Sequence, residues 1–248
     1  MKTVMKHKWD VTGGIYFNGI NNFVNLGTNI ELLNNRSIFA IISPLPILTN
    51  TYETGFIINR EVDNNNRQYC FYYHGKATEM AVIFQYAHNT TFYQFGITNY
   101  LPYRTEPYVV CYTEINNVCK IYVDGVLASA DYTMPIQSAK PTAQTRIGMP
   151  YSTASTFPYK GTIYDIKLFN RGLSATEVKQ ISLKQGQFIP ASCITNCVAN
   201  WTFDDKSGTI LTDKSVSGYN GTLTNFSNTT LGAGNAWIDK YNNSITQY

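Results

Sequence analysis

The chain has 248 residues, a length that all-β folds reach as a single unit. Charged residues make up 14% of the chain, aromatic residues another 14%, and the formal net charge is +3. A charge this small and dispersed does not build the field that attracts nucleic acid or an anionic membrane surface. The sequence has no run of about 18 apolar residues, so it predicts no membrane insertion.

The first ten residues, MKTVMKHKWD, contain three lysines, and no apolar stretch follows them. This pattern is not that of a secretory signal. We interpret residues 1–13 as a basic amino-terminal arm that could contact an acidic partner. The alternative is a partly ordered terminus without a role of its own.

Short apolar or alternating segments recur along the next part of the chain, separated by clusters of Asn, Gly, Pro and Asp. They predict β-strands at 15–17, 23–26, 37–42, 55–59, 68–73, 80–86, 92–97, 108–113, 118–123, 125–130, 145–148 and 162–169. Asp124 and Gly125 predict a tight hairpin, because both residues accept the positive φ of a type I′ turn. Asn116 and Asn117 mark the preceding turn in the same way. This spacing is typical of an antiparallel β-sandwich.

One short helix is predicted after the last of these strands. Ser174 and Glu177 form a capping box at its start, and Val178 and Ile181 form its apolar face. Residues 186–197 lack periodicity and are predicted to be a linker. The five cysteines are odd in number and widely spaced, so we expect buried thiols rather than a disulfide framework or a zinc site.

Four segments carry a family resemblance: YFNGINNFVNLG at 16–27, KIYVDGV at 120–126, RIG at 146–148 and KGTIYDIKLFNRGLS at 160–174. In this order they resemble the landmarks of laminin-G-like domains of the concanavalin A-like lectin/glucanase superfamily. The resemblance covers residues 14–185. It implies an all-β fold, an antiparallel two-sheet β-sandwich of the jelly-roll, concanavalin A-like kind with one short helix.

One landmark of this family lies at the wrong end of the chain. Family members usually open with W-x-F-D/E-x-x-S-G-T, which here is WTFDDKSGT at 201–209, followed by NGTL at 220–223. Either the chain is circularly permuted and residues 198–248 complete the same sandwich, or a second domain begins there. We favour permutation, because about fifty residues are too few to bury a core. In a variant, these strands complete the sandwich of a neighbouring subunit.

The resemblance also raises the question of a glycosidase site, since laminarinase-type members carry E-x-D-x-x-E on one strand. The nearest match here, EVDNNN from Glu61, lacks the second glutamate and lies in a predicted hairpin turn. Retaining hydrolysis needs two carboxyl groups about 5 Å apart. We therefore predict that the protein is not an enzyme.

The resemblance implies one cofactor, a structural Ca²⁺ held by Asp165, Asp204 and Asp213 together with backbone carbonyls. The alternative is that Asp213 caps its own turn and that Asp204 is solvated.

Sugar binding would use aromatic rings that stack on sugar faces, on loops at one end of the sandwich. Tyrosines in or near proline-containing loops are the candidates: Tyr100, Tyr103, Tyr108, Tyr151 and Tyr159. With 19 tyrosines in the chain, packed tyrosines are the alternative for each position.

The leading hypothesis is a non-catalytic binding or adhesion module of a phage virion, in a head, fibre or tail. Assembly in the host cytoplasm would reconcile an extracellular type of fold with the lack of an export signal. This hypothesis predicts a homo-oligomer that binds cell-surface glycans, with the basic arm or the terminal strands at a subunit contact. The alternative is a carbohydrate-binding module of a secreted adhesin or polysaccharide-degrading system. The third hypothesis is a glycoside hydrolase, which would need a second acid beside Glu61.

Overall fold

The computed structural model describes residues 13–46, 53–63, 66–88, 91–137, 142–151, 157–230 and 236–239. Apart from residue 13, the predicted basic arm lies outside these ranges. The strands are β1 (Gly13–Asn18), β2 (Phe23–Gly27), β3 (Ser37–Pro44), β4 (Glu53–Glu61), β5 (Arg67–Gly75), β6 (Glu79–His88), β7 (Thr91–Gly96), β8 (Leu101–Pro102), β9 (Tyr108–Ile115), β10 (Val118–Val123), β11 (Val126–Leu127), β12 (Tyr132–Thr133), β13 (Gln144–Ile147), β14 (Lys160–Phe169), β15 (Cys197–Trp201), β16 (Ile210–Leu211), β17 (Gly221–Thr224) and β18 (Trp237–Asp239). Helix α1 spans Ala175–Leu183, and a 3₁₀ helix spans Ala191–Asn196.

The described strands form two antiparallel sheets of nine strands each. Sheet 1 has the order β11-β10-β9-β3-β14-β1-β18, with β12 beside β10 and β15 beside β14. Sheet 2 has the order β16-β17-β2-β13-β4-β5-β6-β7, with β8 beside β6. The predicted two-sheet antiparallel sandwich is confirmed.

The tight turns lie where the sequence places them. Asp124 and Gly125 connect β10 to β11 with φ values of 51° and 78°, and Asn116 and Asn117 connect β9 to β10 with φ values of 51° and 65°. Both turns need positive φ at both central positions, which Asn, Asp and Gly accept at low cost. The turns fix the register of three consecutive strands in sheet 1.

Of the four described strands after residue 196, three pair with earlier strands of the chain, and β16 pairs with β17. β15 pairs with β14, where Trp201 is the partner of Ile166, and β17 pairs with β2, where Leu223 is the partner of Val24. β18 pairs with β1. The carboxyl-terminal segment thus contributes strands to both sheets.

The main core lies between the sheets, and its largest members include the fully buried Trp201 and Trp237. A second apolar cluster lies on the outer face of sheet 1, where Val178 and Ile181 of α1 pack over Phe39. Helix α1 begins at the predicted capping box, with both reciprocal hydrogen bonds formed. As a result, α1 covers the outer face of sheet 1, whereas no described helix packs on the outer face of sheet 2.

The predicted linker at 186–197 contains the 3₁₀ helix, which the sequence analysis did not predict. Cys193 in this helix is buried, and its thiol donates to the Pro190 carbonyl. All five cysteines are buried and free of disulfide bonds. No helix within the described ranges has the length and hydropathy that crossing a lipid bilayer requires.

Candidate functional site

The outer face of sheet 2 carries a row of side chains that crosses seven strands, which we call the polar row. Alternation along each strand directs Ile58, Phe71 and Phe84 into the core and the polar row to the opposite side. Each member is the direct cross-strand partner of the next, from β17 through β2, β13, β4, β5 and β6 to β7: Thr222, Asn25, Arg146, Asn59, Cys70, Gln85 and Gln94. Direct partners share one face of a sheet, so these side chains form a continuous line.

Asn59 lies at the centre of the polar row and is fully buried. Neither Oδ1 nor Nδ2 of its amide has a hydrogen-bond partner among the described residues. A buried polar group without a partner costs about 1–3 kcal/mol, so proteins rarely retain one without a reason. A donor and an acceptor supplied by a ligand or by water would complete this amide.

Arg146, the cross-strand partner of Asn59, lies between two aromatic rings. Its guanidinium carbon is 4.3 Å from the ring centroid of Phe23 and 4.7 Å from that of Tyr151. Nη1 donates to the Pro150 carbonyl at 3.3 Å, while Nε has no partner among the described residues. Both rings lie within cation–π distance of the guanidinium, and its planar N–H groups are the part that hydrogen-bonds.

Arg67 organises the other end of the polar row. Its Nε lies 3.0 Å from Oε2 of Glu61, and Nη1 donates to the side chain of Gln85. Gln85 in turn donates to Oε1 of Gln94 at 2.9 Å. Glu61 is the last residue of β4, so the predicted hairpin turn begins after it and the glutamate itself lies on the sheet.

Aromatic side chains flank the polar row. The rings of Phe56 and Tyr72 lie 5.4 Å apart, and Phe157, which is 41% exposed, stacks on Phe56 at 6.5 Å. Burial raises the pKa of the Tyr72 phenol and of the Cys70 thiol, so both groups stay neutral at physiological pH. The face therefore combines apolar ring surface with neutral hydrogen-bonding groups and guanidinium groups.

The fold places the tyrosines singled out from the sequence in different surroundings. Tyr151 lies at the polar row, whereas Tyr100 is exposed ahead of β8 and Tyr103 packs against the core. The ring of Tyr108 packs under the guanidinium of Arg104.

Tyr159 corrects the expectation of a loop tyrosine. It is fully buried, donates to the Thr162 carbonyl at 3.1 Å, and packs edge-on against Phe17 and Tyr73. Its ring has no face open to solvent, so it is removed from the set of surface candidates.

The first of the acids proposed for calcium is already paired with a lysine. Nζ of Lys167 lies 2.7 and 2.8 Å from the two carboxylate oxygens of Asp165 and 2.7 Å from Oδ1 of Asn200. The Lys167 side chain is fully buried. Burial raises the pKa of Asp165 to about 6, and the neighbouring ammonium offsets part of this effect. The ammonium supplies the positive charge that a metal ion would bring.

The other two acids are also engaged. Asp204 accepts hydrogen bonds from Lys214 and from Thr202. Asp213 accepts from the backbone N–H groups of Asn200, Ser215 and Tyr219 and from the Ser215 hydroxyl. Within the described residues, no three His, Cys, Asp or Glu side chains are grouped so as to hold a metal ion. The residues present therefore do not fit a calcium ion, and Asp213 caps its turn.

The sequence analysis missed Asn59 and the pairing of Asn59 with Arg146. Arg146 lies within the RIG landmark, and strand alternation gives the outward positions of each strand. Only the register between β4 and β13, set by residues distant in the chain, brings the two side chains together.

Several solved structures share the fold. A native heptameric SAP-like pentraxin from Limulus polyphemus is 13% identical over 71% of this chain and 84% of its own, with a TM-score of 0.54. A candidate carbohydrate binding protein from Bacteroides ovatus is 16% identical over 87% of this chain, with a TM-score of 0.60, and this chain spans 59% of it. Domain 4 of an extracellular arabinanase from Geobacillus stearothermophilus, in complex with arabinotriose, is 15% identical over 68% of this chain and 76% of its own, with a TM-score of 0.53.

A search of curated protein sequences finds no match to the chain. A family model does match, over residues 13–179, and its description is the concanavalin A-like lectin/glucanases superfamily. This match spans more than half of the chain and agrees with the two-sheet architecture. The chain belongs to the concanavalin A-like lectin/glucanase superfamily.

Proposed function

We propose that the protein is a non-catalytic glycan-binding module and that the outer face of sheet 2 is its binding surface. The observation that carries this proposal is the buried amide of Asn59, which has no partner among the described residues and lies at the centre of the polar row. Sugar hydroxyl groups both donate and accept, so a sugar would satisfy both ends of this amide.

The surroundings of Asn59 suit a carbohydrate. Sugars present hydroxyl groups along their edges and C–H groups on their faces, so their sites combine polar side chains with aromatic rings. Tyr151 and Phe157 are partly exposed rings near the polar row, and Gln94 is an exposed amide within it. Two proteins with this fold are linked to carbohydrates by their descriptions. The Bacteroides protein is named as a carbohydrate binding protein, and the arabinanase domain is described in complex with arabinotriose. Both descriptions support the proposal.

The surroundings of Glu61 favour binding over hydrolysis. Its cross-strand partners are Arg67 on β5 and Gln144 on β13, neither of which is an acid. Its carboxylate is ion-paired with Arg67. A glycosidase of the retaining or inverting kind needs a second carboxyl group across the scissile bond.

We retain the proposal that the binding serves attachment of a phage virion, with the protein present as a homo-oligomer. Secretion as part of an adhesin or a polysaccharide-degrading system is the alternative. Mass spectrometry of purified particles and light scattering of the isolated protein test these two points. We expect to find the protein in purified phage particles and to find an oligomer in light scattering. A monomer that occurs only in culture supernatant would contradict the proposal.

A glycan array with the wild-type protein and the Asn59→Leu variant tests the proposed function. Leucine has the same branching and the same number of side-chain heavy atoms as asparagine and removes the amide without a partner, so the variant should stay folded while its glycan binding is lost. Gln180→Leu, on the exposed side of α1, is the matched control and should keep binding. Undiminished binding by Asn59→Leu, or no binding by the wild type to any glycan, would contradict the proposal.

A further inference from the structure

We propose that the ligand is an acidic glycan and that Arg146 and Asn59 together hold the carboxylate of one of its uronic acid residues. This inference rests on the proposed function and names the ligand class for the same face.

The charge of Arg146 is the first observation. Arg67 on the same face is ion-paired with Glu61, but Arg146 forms no ion pair with any residue in the described part of the chain. The hydrogen bond that its side chain forms with the described residues goes to a neutral backbone carbonyl. Glu61 is near enough to favour the charged form of Arg146 but is itself ion-paired with Arg67, so an anion brought by the ligand would further stabilise this partly buried positive charge.

The geometry of the guanidinium is the second observation. Phe23 and Tyr151 pack against the guanidinium at cation–π distance, and its planar N–H groups are the hydrogen-bond donors. Planar N–H donors match the two oxygens of a carboxylate, which accepts two parallel hydrogen bonds. Asn59 is the direct cross-strand partner of Arg146, so its buried Nδ2, which has no partner among the described residues, is the neighbouring donor for the same carboxylate.

The balance of charge on this face is the third observation. Arg146 and Arg67 contribute two positive charges, and Glu61 contributes one negative charge. Burial lowers the pKa of His74, which lies on the same face two positions along β5 from Tyr72, so it is neutral at physiological pH. The net positive charge favours an anionic ligand over a neutral one.

Calorimetric titration with paired polysaccharides tests this inference. The probes are polygalacturonate, oligomannuronate and hyaluronan, each paired with its carboxyl-reduced form, which keeps the sugar backbone and removes the charge. Dextran sulfate tests whether the protein recognises sulfate instead of carboxylate. We expect at least one acidic probe to bind about tenfold or more tightly than its reduced form. Carboxyl reduction removes a charge-assisted hydrogen bond, and losing such a bond weakens binding by at least this factor. Arg146→Gln should lose the same factor, Arg146→Lys should lose less, and Lys179→Gln on α1 should lose nothing.

The outcomes separate the two proposals. Equal binding of an acidic polysaccharide and its reduced form would overturn the carboxylate inference and leave glycan binding in place. Tighter binding of dextran sulfate than of every uronate would also overturn it. Absence of binding to every acidic and neutral glycan would contradict the proposed function and this inference together. Because carboxyl reduction changes only the ligand, the comparison stands even if a variant fails to fold.

Discussion

Asn59 on β4 and Arg146 on β13 face each other across two paired strands, and the Asn59 amide and the Arg146 Nε are buried without a hydrogen-bond partner among the described residues. Each unsatisfied group lowers the free energy of unfolding by about 1–3 kcal/mol. The two groups lie side by side on the outer face of sheet 2, where the hydrogen-bonding groups of a ligand would satisfy them.

Tyr151 and Tyr100 provide a matched pair for testing the location of the binding face. They are 38% and 46% exposed, and only Tyr151 stacks on the guanidinium of Arg146. We expect Tyr151→Ala to weaken glycan binding about fivefold, the equivalent of about 1 kcal/mol, because the Arg146 guanidinium loses a ring that orients it and the glycan loses an exposed aromatic surface. Tyr100→Ala should leave the dissociation constant unchanged in the same titration. The reverse order of effects would place binding at the loop ahead of β8.

Lys167 is the second point at which a substitution should have a large effect. Removing one partner of a buried ion pair leaves an uncompensated charge, which costs about 3–5 kcal/mol. Lys167→Met should therefore lower the free energy of unfolding by this amount in urea denaturation at pH 8. The loss should be smaller at pH 5, because burial raises the pKa of Asp165 to about 6 and the carboxyl group then takes up a proton.

The exposed Lys179 on α1 provides the control for Lys167. Lys179→Met should change the free energy of unfolding by less than about 0.5 kcal/mol. A loss in Lys167→Met no larger than in Lys179→Met would show that the Asp165–Lys167 pair within β14, and the hydrogen bond from Lys167 to Asn200 on β15, do not stabilise the fold.

Calcium should leave the stability of the protein unchanged. The oxygens of Asp165, Asp204 and Asp213 already accept hydrogen bonds from lysines, hydroxyl groups and backbone amides. We expect the same melting temperature in millimolar calcium and in excess chelator. A rise in melting temperature with calcium concentration would show that the ion displaces these contacts.

Glu177 should account for part of the stability that the protein loses in acid. Hydrogen bonds from Arg171, from the Ser192 hydroxyl and from Ser174 hold the pKa of this carboxyl group at about 2, against an ordinary value of 4.5. A depressed pKa stabilises the folded state fully above pH 4.5, and this contribution is lost as the pH falls toward 2. Glu177→Gln should therefore show a flatter decline in stability over that range. An unchanged slope would contradict this role.

The sequence predicted the strands and their turns because those depend on local chemistry. The type I′ pairs at Asp124 and Asn116 and the capping box at Ser174 are decided by a few neighbouring residues, and all three are present in the structure. The 3₁₀ helix around Cys193 was missed because its residues carry no helical period.

The candidate site was less accessible from the sequence, for two physical reasons. The polar row forms only because the register of seven strands aligns its members. Asn59 and Arg146, for example, are 87 positions apart in the chain. Tyr159 was misplaced because an aromatic residue beside a proline has the same local pattern in a rim loop as in the core. The local sequence does not show that Lys167, two positions along β14, points at the carboxylate of Asp165.

Hydrogen–deuterium exchange of the full chain, with and without a glycan that binds, tests the location of the site most directly. We expect slower exchange in peptides that cover β2, β13, β4 and β5 around Asn25, Arg146, Asn59 and Cys70, and no change in α1. Protection confined to the loop before β8, or to the outer face of sheet 1, would contradict binding at the polar row.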